Sequence, residues 1–72
     1  MKTVLTNEKI EELARTATNN VEGNYVRRFL KTFSQCDLDV SYAFKMLEYD
    51  ADKHKLSNQT MRAVRTGIRY VI

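Results

Sequence analysis

A chain of 72 residues with 43% hydrophobic and 29% charged side chains can build one small core, and is too short for a second domain or a deep catalytic cleft. Its net charge is +3, no apolar run nears the ~20 residues of a membrane span, and the Met1–Glu8 stretch lacks the apolar centre of a secretory signal, so an intracellular, cytoplasmic location is expected. The lone Cys36 excludes an internal disulfide and a cysteine-based zinc cage.

Proline is absent and there are only two glycines, so the turn punctuation of a strand-rich fold is missing. The first helix is predicted from Asn7 to about Thr18. Thr6 is its N-cap, Glu8 sits in the first turn, and Ile10, Leu13, Ala14 and Ala17 form one apolar stripe. Gly23-Asn24 reads as a turn after it. A second helix then runs from Tyr25 to about Ser34, with Tyr25, Val26, Phe29, Leu30 and Phe33 on one face and Arg27, Arg28 and Lys31 opposite. This strongly amphipathic stretch is expected at the centre of the core.

Asp37 and Asp39 are both placed to cap a third helix that starts at Leu38 or Val40 and ends near Tyr49. Val40, Ala43, Phe44 and Leu47 form its stripe, flanked by Tyr42 and Met46. The polar segment Asp50–Leu56 reads as a loop. Ser57 caps a last helix, roughly Asn58–Tyr70, whose apolar line is Met61, Val64, Ile68 and Val71. Gly67 inside it costs about 1 kcal/mol relative to alanine, which suggests either close packing or a frayed end. Together these elements predict an all-α fold, a compact bundle of four short helices forming a single domain over residues 1–72.

The run from Thr32 to Leu47 resembles the second half of a ubiquitin-associated (UBA-like) three-helix domain, a pattern shared by the N-terminal domain of elongation factor Ts. Phe33 matches the apolar end of that family's second helix. Asp39 and Val40 match the acid and branched residue of its turn, and Ala43, Phe44 and Leu47 its third helix. The resemblance implies a UBA-like arrangement of the first three helices over residues 7–48. Ubiquitin binding in the family usually uses a Met-Gly-Phe or Met-Gly-Tyr loop. The equivalent place here reads Glu22-Gly23-Asn24, so that activity is not implied.

Charge is unevenly laid out. Residues 37–52 hold five acids and one lysine, whereas residues 53–72 hold Lys53, Lys55, Arg62, Arg65 and Arg69 with no acid. Arginines at that spacing share a helix face and bind phosphate bidentately. Ser57, Asn58, Gln59 and Thr60 would lie at the end where recognition helices touch bases. A loop of about seven residues before this helix is longer than the 3–4-residue turn of a helix-turn-helix. A solvated face, or pairing with Glu48, Asp50 and Asp52, explains the arginines equally well.

Asp50, Asp52 and His54 alternate, but a calcium loop starting at Asp50 would need glycine and glutamate where Lys55 and Met61 stand. No metal site is expected. His54 and Cys36 could meet only through the fold, and Glu11 with Glu12 reads as an exposed helix edge. No catalytic residue and no cofactor site are expected. The reading is a non-catalytic binding protein, an adaptor or inhibitor, that meets another protein through Tyr42, Met46 and Tyr49 on the outer side of the third helix, although core packing is the commoner fate of such a stripe. The alternative is a DNA- or RNA-binding regulator using Lys53, Lys55, Arg62, Arg65 and Arg69. Homodimerisation would help so small a core. Small helical proteins of this size are common in phages and mobile elements, a prior that no residue here carries.

Overall fold

The computed structural model describes residues 5–36 and 38–71. It contains four helices, α1 (Asn7–Ala14), α2 (Asn20–Gln35), α3 (Val40–His54) and α4 (Asn58–Tyr70), and no strand among the described residues. The expected all-α bundle is the observed one. Three of the four N-caps stand where the sequence put them. Thr6 Oγ1 accepts from Lys9 N at 3.1 Å, Asp39 Oδ2 from Tyr42 N at 3.2 Å, and Ser57 Oγ from Thr60 N at 3.3 Å. The second cap proposed for α3, Asp37, lies outside the described residues.

Two boundaries differ. α1 stops at Ala14, short of Thr18, because Thr16 and Ala17 close tighter turns. Thr16 N donates to Leu13 O at 3.0 Å, Ala17 N to Ala14 O at 3.2 Å, and the Thr16 hydroxyl takes Leu13 O at 2.7 Å. Gly23-Asn24 is not a turn, since α2 already begins at Asn20. Asn19 Oδ1 accepts from Glu22 N at 2.9 Å, the N-cap bond, while the Asn19 side-chain amide donates through Nδ2 to Glu22 Oε2 at 3.2 Å. Gly23 is buried in that first turn, where a Cβ would lie 3.1 Å from Ala14 O. It serves close approach of α1 and α2.

α3 continues to His54, so Asp50–His54 is helix and not loop. Lys53 and His54 suit the negative end of the helix dipole. Lys55 ends the helix in the left-handed conformation, φ 53°, and Leu56 N donates back to Ala51 O at 3.1 Å.

The buried line of α4 is Thr60, Ala63, Val64, Gly67 and Ile68, with Met61 and Val71 only half-buried beside it. The line expected from large apolar residues alone is therefore rotated towards the small ones. The reason is at Gly67, where a Cβ would fall 2.7 Å from both Leu30 methyls and 3.1 Å from Leu13 Cδ1. Small residues let α4 approach α1 and α2 closely. α4, rather than α2 alone, holds the centre, and it packs against each of the other three helices. The core is Leu5, Ile10, Leu13, Ala14, Val26, Phe29, Leu30, Phe33, Ala43, Leu47, Ala63, Val64 and Ile68.

A polar junction joins the start of α2 to the start of α4. Glu22 Oε1 accepts from Ser57 N at 2.8 Å, Ser57 and Thr18 share a hydroxyl–hydroxyl bond, and fully buried Thr60 accepts from Thr18 N at 3.4 Å and Ser57 Oγ at 3.1 Å. The Ser57 bond, outweighing a smaller desolvation effect, holds the Glu22 carboxyl below the usual glutamate range, with further bonds from Thr60, Ser57 and Asn19.

Gly67→Ala sets a helix-propensity gain of about 1 kcal/mol against an overpacking cost of 1–3 kcal/mol, so a net loss of about 1 kcal/mol is predicted from urea unfolding. Because the folded Glu22 pKa is lowered, its charge stabilises the fold fully above the ordinary value of 4.5, and that contribution is lost as pH falls through and below it. Urea midpoints should therefore favour wild type over Glu22→Gln at about pH 6, with the difference shrinking below about pH 4.

Candidate functional site

Three exposed surfaces of the described residues bear on function. The first is the outer side of α3. Tyr42, Met46 and Tyr49 follow one another at four- and three-residue intervals and so share a face. Tyr42 and Tyr49 are 56% and 66% exposed, while Met46 is half-buried and packs against the core. One turn on, Lys53 Nζ lies 5.9 Å from the centre of the Tyr49 ring. Lys53, assigned from sequence to the basic set, thus belongs to the aromatic face.

The second surface is the far side of α4. With Thr60, Ala63, Val64, Gly67 and Ile68 facing inward, Arg62, Arg65 and Arg69 lie on the opposite side and are exposed. Among the described residues none of the three makes an ion pair, so pairing with Glu48, Asp50 or Asp52 does not account for them. Lys55, also exposed, sits on the turn before α4. Of the four residues expected to touch bases, Asn58 is exposed and makes no side-chain hydrogen bond among the described residues, whereas the other three are engaged within the fold. Thr60 is fully buried, Ser57 is held by Glu22 and Thr18, and Gln59 Nε2 donates to Thr16 O at 2.6 Å.

The third surface was not legible in the sequence. It is a solvent-open groove of about 500 Å³ lined by Val21, Glu22, Asn24, Tyr25, Arg28, His54 and Leu56. It exists because α2 starts early, which puts Val21 on a helix, and because α3 ends late, which carries His54 across to Tyr25. The Tyr25 and His54 ring centres are 6.4 Å apart, and Tyr25 and Phe29 are 5.8 Å apart. The Tyr25 hydroxyl donates to Asp50 Oδ2 at 2.7 Å. Burial first, and then the bond and charge of Asp50, push the Tyr25 phenol well above the ordinary tyrosine range.

The remaining candidates separate. Asp50, Asp52 and His54 lie on α3 and not in a loop, with Asp50 committed to Tyr25, and no group of three potential metal ligands occurs among the described residues. Cys36 caps the far end of α2 while His54 meets Tyr25 near its start. Those two positions are eleven steps apart along α2, roughly 16 Å. Glu11 pairs with Arg27 at 2.9 Å and Glu12 with Lys9 at 3.4 Å. No described helix is long and apolar enough to cross a membrane.

Comparison with protein-family models, with curated proteins and with solved structures found no match.

The Tyr25–Asp50 bond ties α2 to the extension of α3. Removing it in Tyr25→Phe should cost about 1 kcal/mol in urea unfolding. In wild type, the Tyr25 phenolate absorbance near 295 nm should appear later than an ordinary phenol's in a rising-pH titration.

Proposed function

We propose that this chain is a non-catalytic helical binding module, an adaptor or inhibitor, that engages another protein through the outer face of α3. The observation that carries the reading is the pair of exposed tyrosines, Tyr42 and Tyr49, aligned on one face with Met46 between them. Tyrosine supplies a large contact area at low entropic cost and recurs among the residues that dominate interface energies. Met46 adds an adaptable apolar contact, and Lys53 over Tyr49 adds a cation at the rim. The acids Asp39, Glu48 and Asp52 are exposed on the same helix and would set the charge a partner must complement.

A second reading rests on the arginine face of α4, which makes no ion pair among the described residues. Arg62, Arg65 and Arg69, with Lys55 nearby, suit a phosphate backbone. With Ser57, Gln59 and Thr60 bonded inside the fold and Asn58 alone left to meet a base edge, such binding would read charge far more than base sequence.

The two readings separate by mutation. Tyr42→Ala and Tyr49→Ala should each weaken capture of the protein partner by tenfold or more, roughly 1.4 kcal/mol, with the helical circular-dichroism signal intact. Arg62→Ala, Arg65→Ala and Arg69→Ala together should leave that capture in place. The opposite pattern, with duplex DNA binding that falls steeply with salt and is lost in the arginine variant, would support the nucleic-acid reading instead. Sedimentation of the wild type and the double tyrosine variant would reveal whether the partner is a second copy.

A further inference from the structure

The groove between α2 and the end of α3 carries chemistry of its own. Its walls are apolar: Val21 is 78% exposed there, the Tyr25 ring forms the side, and Leu56 the half-buried end. A valine left so open on the first turn of a helix contributes nothing to the core. The rim is set by two neighbouring arginines with different fates. Arg27 is used inside the fold, with Nε on Glu11 Oε1 at 2.9 Å and Nη1 on Asn24 Oδ1 at 2.8 Å. Arg28 is exposed, lines the groove and makes no ion pair among the described residues.

Neither nearby acid pairs with Arg28 among the described residues, although the Glu22 carboxylate also lines the groove and keeps its charge. Glu22 has one oxygen on Ser57 N and the other on Asn19 Nδ2, and Asp50 receives the Tyr25 hydroxyl. The Asn24 amide uses its oxygen for Arg27, which leaves its N–H groups as donors beside Arg28. The groove therefore offers an apolar surface at Val21, Tyr25 and Leu56, with the Arg28 guanidinium, unpaired among the described residues, and the Asn24 amide at its edge. We propose that it is a second docking site, taking from a partner protein a peptide segment in which a large apolar side chain is followed by a carboxylate. The apolar side chain lies against Val21, Tyr25 and Leu56, and the carboxylate accepts from Arg28. The proposal rests on the protein-binding reading above but uses none of the α3 tyrosines.

The test uses the full chain, isotope-labelled for NMR, titrated with the capped peptide acetyl-GLFDEG-amide and its neutral twin acetyl-GLFNQG-amide. Saturable shifts of the Val21, Tyr25, Arg28, His54 and Leu56 amides by the acidic peptide, and weaker binding of the neutral one, are the expected result. Arg28→Gln should weaken the acidic peptide about fivefold, an exposed ion pair's contribution, without changing the neutral one. Val21→Asp should remove both, and Tyr42→Ala with Tyr49→Ala should change neither. Val21 and Arg28 are exposed, so these variants keep the fold. No saturating shift up to about 5 mM peptide, equal affinity for both peptides, or shifts confined to the arginine face of α4 would overturn the proposal. If the α3 tyrosine variants fail to affect partner capture while the groove still binds, the α3 reading falls and the groove stands.

Discussion

The close approach of α4 to its neighbours is the constraint on which the rest of the molecule depends. Gly67 leaves no atom between the α4 backbone and the methyls of Leu30 and Leu13. Ala63 and Thr60 continue that line of small residues one and two turns earlier. A helix lying so close contacts α1, α2 and α3 together, and one short helix can then close a core that a chain of this size could not otherwise complete. The same rotation has an external consequence. Burying the small line turns Arg62, Arg65 and Arg69 fully outward, so the charged face of α4 follows from its packing.

The polar junction at the helix starts sets a second limit, this one on function. The N-termini of α2 and α4 are satisfied by each other's neighbourhood. Glu22 serves both Asn19 and Ser57, and Thr60 serves Thr18. Buried donors must find such partners, and here they find them within the chain. Of the groups through which α4 could have read a ligand at its start, Ser57, Gln59 and Thr60 are engaged inside the fold, and Asn58 alone of the four is left exposed without a side-chain bond among the described residues. What remains for work is lateral: the tyrosine face of α3, the arginine face of α4, and the groove beside α2. The extension of α3 to His54 contributes to the first and third of these, since it carries Lys53 to Tyr49 and His54 to Tyr25.

The errors of the sequence reading share one cause. Asn19 and Glu22 have the spacing of a helix start, but Gly23 beside Asn24 has the composition of a turn, and the two local signals conflict. In the fold neither glycine has positive φ. Gly23 and Gly67 are there for the room they leave, which depends on Ala14 and Leu30 arriving from elsewhere. The polar tail of α3 read as a loop because its hydrogen-bonding partner, Tyr25, lies 25 residues away.

Local rules were enough for the helical class, for the caps Thr6, Asp39 and Ser57, and for both ends of α4, because capping and the 3.6-residue period act within a few residues. They also marked Tyr42 and Tyr49 as lying off the apolar stripe. Which side of α4 is buried, where α1 stops, how far α3 runs and that a groove opens beside Val21 were decided only by tertiary contact. Those features depend on van der Waals fit and on hydrogen bonds such as Ser57 to Glu22, which join residues 35 apart in the chain and leave no periodic trace in it.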